Sequence, residues 1–250
     1  MQIPTPLLLL PGLMNDTRVW DPLRTALPKA RDVVVAPTHT ADAIAVLAAS
    51  AIDAMPPGPF AVAGFSLGGY VALEVCRQAH RRIAGIALLD TGARADSEEA
   101  RQNRQRMVAA VGSGSASLAQ VAAGFASRVV HASRAEDSRL LELLADMASS
   151  VGRDGFVRQQ TAAMNRQDSR DVLRTLRCPA LVLCGREDQI TPIALSEEMA
   201  ALLPGDTALV IVPRSGHMST LEQPAAVAEA VGRWIERVDA QAASSSDTRP

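Results

Sequence analysis

Six short runs along the chain are apolar without interruption: Leu7–Leu10, Val33–Ala36, Phe60–Ala63, Ile83–Leu89, Ala180–Leu183 and Ala208–Val212. A strand with one face in water alternates apolar and polar positions. An unbroken apolar run is what a strand covered on both faces requires, as in a parallel sheet flanked by helices. Between the runs lie longer segments that read as helices: Thr17–Leu27, Asp42–Met55, Leu67–Ala79, Pro192–Leu202 and Thr220–Val238. The alternation predicts an α/β protein with a doubly wound, mostly parallel sheet of about six strands, Val33–Ala36 being a candidate edge. Two helix starts look marked. Thr191 before Pro192 has the form of an N-cap followed by a proline at the first helical position, and Ser219 with Glu222 has the spacing of a capping box.

The rhythm breaks between Gly92 and about Arg177, where no strand is evident. Met107, Val108 and Val111, then Leu118, Val121 and Phe125, then Leu140, Leu141, Leu144 and Met147 suggest two or more helices, with Gly112-Ser113-Gly114-Ser115 as a break between them. The chain therefore divides into a core of residues 1–91 and 178–238 and a helical insertion of residues 92–177. The stretch 239–250, with Ala242-Ala243-Ser244-Ser245-Ser246, reads as a disordered tail.

Composition changes this picture little. The 250 residues are 48% hydrophobic and 21% charged, with a formal net charge of −2, which offers no electrostatic footprint for nucleic acid or an anionic membrane. The insertion differs, with 13 arginines against 10 acidic residues. Such a surplus hints at an acidic substrate or an acyl carrier, although solvated arginines on a helical surface are the commoner case. Cys76, Cys178 and Cys184 form no C-x-x-C pair and read as buried small hydrophobes. The first residues carry no basic start, and the Leu7–Leu10 run is too short for a signal peptide or a membrane span, so the cytoplasm is the expected compartment. Neither an H-E-x-x-H pattern nor clustered cysteines suggest a metal, and no cofactor is expected.

The candidate chemistry begins at Gly64-Phe65-Ser66-Leu67-Gly68-Gly69, a G-x-S-x-G pattern that follows one apolar run and opens a helical one. That context fits a nucleophile elbow, a tight turn that raises a serine hydroxyl out of the sheet and leaves the Leu67 amide at a helix N-terminus, ready for a developing oxyanion. Serine needs a neighbouring base. His217, between the last apolar run and the last helix, falls at the carboxyl edge of the sheet, where open α/β folds bind ligands. His39, His80 and His131 read as surface or structural residues. An acid must orient the imidazole. Asp188 and Glu187, after Ala180–Leu183, and Asp90, after Ile83–Leu89, all qualify by chemistry and place.

Leu8-Leu9-Leu10-Pro11-Gly12, the Gly64–Gly69 elbow, and Gly185-Arg186-Glu187-Asp188 with Gly216-His217 together resemble the α/β-hydrolase superfamily from about Leu7 to Val238. The resemblance is to small bacterial serine esterases, including the enol-lactonase and carrier-protein methyl ester esterase branches. It implies Ser66 as nucleophile, His217 as base and Asp188 as acid, with the insertion as a cap over the serine. It also implies an oxyanion hole of the Leu13 and Leu67 amides. The family usually has His-Gly where this chain has Pro11-Gly12, which leaves Met14 as a substitute donor. The implied activity is cleavage of a carboxylic ester of a small molecule through an acyl-enzyme. A C–C hydrolase or enol-lactonase on the same fold is the alternative, and a non-catalytic small-molecule binder a more distant one.

Overall fold

The computed structural model describes residues 4–246. All six apolar runs are strands: β1 (Leu7–Leu10), β2 (Val33–Val35), β3 (Phe60–Phe65), β4 (Ile83–Leu89), β5 (Ala180–Gly185) and β6 (Thr207–Val212). They form one parallel sheet in the order β2-β1-β3-β4-β5-β6, with β2 at an edge as expected. The chain winds one way from β1 to β2 and the other way from β3 onward. The crevice at such a reversal, outside the carboxyl ends of β1 and β3, is where open α/β sheets take ligands.

Side-chain alternation explains why the strands had to be apolar throughout. Leu8 and Leu10 of β1, Val62 of β3 and Leu88 of β4 pack on one face against α2 (Ile44–Asp53) and α3 (Leu67–Gln78). Leu7, Leu9, Ala63 and Leu89 point the other way, onto Trp20, α1 (Asp21–Ala26) and the helix that ends the described chain. The four inner strands therefore bury two faces, while the edge strands β2 and β6 are mostly half-buried.

Between β4 and β5 lie only helices among the described residues: α4 (Glu98–Ser113), α5 (Leu118–Val129), α6 (Ser138–Met164) and α7 (Arg170–Thr175). Gly114, at φ 78°, ends α4 where a break was expected. Ser117 and Gln120 make a reciprocal capping box that starts α5. α6 is kinked at Gly152 (φ 71°, ψ 172°), so its second half heads back toward the sheet.

Three local expectations are corrected. Thr191 does not cap α8 (Ile193–Leu202). Pro192 holds that position, and the Thr191 hydroxyl donates instead to the Asp188 carboxylate. Ser219 is no capping residue either. Met218 precedes α9 (Ser219–Glu222) and its amide donates to Glu222, while the Ser219 hydroxyl donates to Asp90. A buried carboxylate outcompetes a helix terminus for each hydroxyl because its lone pairs have no water to turn to. The disordered tail is corrected as well. α10 (Pro224–Ser246) runs on past Val238, and Asp239 is tied to Arg31 at 2.6 Å and to the Thr5 amide at 2.9 Å. The remainder of that stretch, residues 247–250, lies outside the described residues.

Candidate active site

Ser66 sits between β3 and α3 at φ 53° and ψ −117°, a conformation that L-residues rarely adopt. The flanking glycines make it attainable. A Cβ on Gly64 would lie 2.3 Å from the Gly68 carbonyl oxygen, and a Cβ on Gly68 would lie 2.0 Å from the Leu10 carbonyl oxygen. The turn is tied down locally: the Ser66 amide donates to Leu89, and the Thr91 hydroxyl donates to the Ser66 carbonyl at 2.7 Å.

Ser66, His217 and Asp188 are brought together. The Ser66 hydroxyl lies 2.8 Å from His217 Nε2, and His217 Nδ1 lies 2.8 Å from Asp188 Oδ2. Asp188 Oδ1 also accepts from the amides of Ile190 and Thr191, and Oδ2 from the Thr191 hydroxyl at 2.6 Å. Burial works against the Asp188 charge, but the facing imidazole and these donors outweigh it and hold the carboxyl below its ordinary pKa. Burial likewise disfavours a charged His217. Asp188's charge and hydrogen bond prevail, so the imidazole pKa is raised.

The other acids do different work. Glu187 accepts from the Ser215 amide at 3.0 Å and so clamps the loop that carries the histidine. Asp90 is fully buried, with one oxygen on the Gly185 amide at 2.8 Å and the other on Ser219. Burial, then the charge of Asp188, pushes Asp90 up to about 8. Of the remaining histidines, His80 follows α3 on the surface, His131 bonds Ser133, and His39 packs near Arg158 and Gly155. Glu222, which the sequence suggested only as half of a capping box, accepts the amides of His131 and Met218. The Val129 carbonyl, at the end of α5, takes the amides of His217 and Met218. The insertion thus holds the histidine loop.

The loop after β1 has a brace that sequence reasoning missed. Gln159, wholly buried on α6, accepts from the Met14 amide at 2.9 Å and donates to the Gly12 carbonyl at 3.3 Å and the Thr38 hydroxyl at 3.2 Å. Thr38 in turn donates to the Pro11 carbonyl at 3.1 Å. Met14 is therefore spoken for and is a poor substitute donor. The Leu13 and Leu67 amides have no acceptor among the described residues, and both residues line the cavity that holds Ser66 and His217.

That cavity has a volume of about 1050 Å³. Its walls come mainly from α4, α5 and α6 and are largely apolar, with Met107, Phe125, Leu141 and Leu144 among them. Arg104, Arg106, Arg128 and Arg153 also line it, and no carboxylate does. Among the described residues no three His, Cys, Asp or Glu side chains gather as metal ligands, and no helix is long and apolar enough to cross a membrane. Cys76 and Cys184 are buried and Cys178 partly so, each thiol pushed up by burial.

Residues 7–230 match the alpha/beta hydrolase family. The chain belongs to that family. It is 28% identical over 204 residues to a pimeloyl-[acyl-carrier protein] methyl ester esterase of Chromobacterium violaceum, a match covering 80% of this chain and 78% of that one. A solved thermophilic esterase from Thermogutta terrifontis is similar at a TM-score of 0.82 and 29% identity, covering 96% and 92% of the two chains. The enol-lactonase from Burkholderia xenovorans LB400 shares the fold at a TM-score of 0.80 and 21% identity, covering 93% and 92%. Kinship with the two esterases makes this α/β-hydrolase chain an enzyme.

Proposed function

We propose that the chain hydrolyses a carboxylic ester of a small molecule through an acyl-enzyme on Ser66. The observation that carries this reading is the unbroken relay from Ser66 Oγ to His217 Nε2 and from His217 Nδ1 to Asp188, at 2.8 Å each, opening on the cavity. As Oγ attacks the ester carbonyl, its proton passes to Nε2, and Asp188 stabilises the imidazolium that forms. The carbonyl oxygen becomes an anion and meets the amides of Leu67, at the start of α3, and Leu13. The ester C–O bond then breaks, and His217 returns its proton to the departing alcohol. Water repeats the sequence on the acyl-enzyme and releases the acid. The insertion acts as a cap over the serine.

Ser66→Ala, folded as the wild type, should lose about 10⁴- to 10⁶-fold in turnover of a p-nitrophenyl ester and take no fluorophosphonate label. Full turnover by that variant would end the reading. The four arginines sharpen the substrate class. Among the described residues only Arg104 of the four has a carboxylate partner, Asp96 at 2.6 Å. This favours esters that carry an anion away from the scissile bond. At low salt the p-nitrophenyl monoester of adipic acid should be turned over with a kcat/KM about 5- to 10-fold above that of p-nitrophenyl hexanoate, the gap closing as salt rises. Equal values at low salt would remove the anionic preference and leave the ester chemistry standing.

A further inference from the structure

We propose that Gln159 is a positioning residue for the oxyanion hole, through which the helical insertion sets the path of the loop after β1. The inference rests on the ester-hydrolase reading above. Its chemistry is unambiguous in direction. The Met14 backbone N–H can only donate, so the Gln159 atom facing it is Oε1. The amide nitrogen therefore faces the Gly12 carbonyl and the Thr38 oxygen, where it donates. Thr38 spends its own proton on the Pro11 carbonyl, which can only accept, and so receives Gln159 as an acceptor. One amide side chain thus fixes, directly or through Thr38, the carbonyls of Pro11 and Gly12 and the amide of Met14.

Leu13 lies between the anchored groups. Its neighbours are fixed on both sides, its amide has no acceptor among the described residues, and Leu13 lines the cavity. Met14 needs the restraint, because it sits at φ 56°, a left-handed conformation that a long side chain rarely adopts. The brace comes from 145 residues away, from the half of α6 beyond the Gly152 kink. That half is docked independently on the loop after β2, where Arg158 Nε donates to the His39 carbonyl at 2.8 Å. A hydrogen-bond donor for an oxyanion must be placed before the charge develops, since a misplacement of about 1 Å can cost on the order of 10²-fold. Docking of α6 therefore sets the competence of the hole as well as the shape of the pocket.

The test uses the full chain and three variants. Gln159→Met keeps the length of the side chain and removes all three hydrogen bonds. Thr38→Val removes only the link to Pro11. Arg158→Gln removes one other bond of the same half-helix, that to the His39 carbonyl, and leaves α6 docked and the Gln159 contacts with residues 11–14 in place. Gln159→Met should lower kcat for a p-nitrophenyl ester by about 10- to 100-fold with KM within about threefold. Affinity for an alkyl boronic acid, which becomes a tetrahedral anion on Ser66, should fall in parallel, while affinity for a neutral ketone of the same chain length should not. Thr38→Val should show the same pattern at about 3- to 10-fold, and Arg158→Gln should stay within about twofold of the wild type. If Gln159→Met does not fold, Thr38→Val decides. Unchanged kcat and boronate affinity in the folded Gln159 or Thr38 variant would overturn the inference. So would a loss confined to KM, or an equal loss in Arg158→Gln, since either would mean that Gln159 only packs the helix. A wild-type chain with neither turnover nor fluorophosphonate labelling would instead sink the hydrolase reading itself, and the inference with it.

Discussion

The turns after β1 and β3 each hold a non-glycine residue in the left-handed region, Met14 at φ 56° and Ser66 at φ 53°. They are stabilised by opposite means. The Ser66 turn is closed by backbone meeting backbone. Gly64, Gly68 and Gly69 let strand and helix come within van der Waals distance, and its hydrogen bonds run to the neighbouring strand end at Leu89 and Thr91. The Met14 turn has one glycine, Gly12, and is held by a side chain from the insertion. The first turn is rigid because alternatives collide. The second has one backbone bond of its own, from the Asn15 amide to the Gly12 carbonyl at 3.2 Å, and takes its remaining restraint from α6. On the proposed mechanism, a chain built this way keeps the Ser66 turn whatever the insertion does, and completes the oxyanion hole only when the insertion is docked.

Alanine at one glycine of each turn should expose the difference most strongly. At Gly68 the new Cβ would sit 2.0 Å from the Leu10 carbonyl oxygen and 2.7 Å from that of Pro11, both backbone atoms that cannot turn aside. At Gly12 it would meet the side chains of Asn15 and Phe65 at 2.8 Å, which can rotate or shift. Gly68→Ala should therefore cost at least about 10²-fold in kcat, or fail to fold, whereas Gly12→Ala should cost roughly 10-fold. Steady-state kinetics with a matched thermal melt would show this. Equal losses would mean that the two turns are constrained alike and that the contrast is wrong.

The same contrast explains what could be read from the sequence. The elbow is a local pattern, with glycines at fixed offsets from Ser66 and an apolar run in front. His217 was singled out because it follows an apolar run that had to be a parallel strand; the same reasoning left Asp188, Glu187 and Asp90 open, and the family resemblance chose Asp188, which the structure brings to His217. Strand limits were right to within two residues, since burial on both faces leaves no polar position inside the inner strands and the edge strands are apolar as well. Gln159 was invisible for the opposite reason. A buried glutamine on a helix carries no signature, and its partners lie at residues 12, 14 and 38. Thr191 and Ser219 were misread because a hydroxyl beside a helix start suggests a cap, and only the fold reveals the buried carboxylates of Asp188 and Asp90 that claim them. The helical course of residues 239–246 was missed because small residues and serines read as disorder, while the anchor, Asp239 to Arg31, spans 208 residues.

The smallest effect concerns a third left-handed residue, Asp90 at φ 47°, at the end of β4. It is held like Met14, by side-chain chemistry, but with a proton in play. An aspartate in the unfolded chain titrates near 3.8, and burial followed by the charge of Asp188 moves Asp90 to about 8. Between those values the folded protein retains a proton that the unfolded chain has released, so Asp90 makes stability fall as pH rises across that window. Asparagine tolerates the same backbone, can accept from the Gly185 amide with its oxygen, and can donate to Ser219 with its nitrogen. Asp90→Asn has no proton to lose. Its melting temperature should match the wild type at pH 5 and exceed it at pH 8, the gap opening as the wild-type Asp90 loses its proton. The activity profile tests the same assignment. His217 must be neutral to accept the Ser66 proton, and its raised pKa places the acid-side loss of turnover above 6.5. Asp188 is the main cause of that rise, and Asp90 still holds its proton at that pH, so Asp90→Asn should leave the limb in place. A melting difference that is the same at pH 5 and pH 8 would show that Asp90 keeps its charge in the fold, and that the turn after β4 is stabilised by an anion.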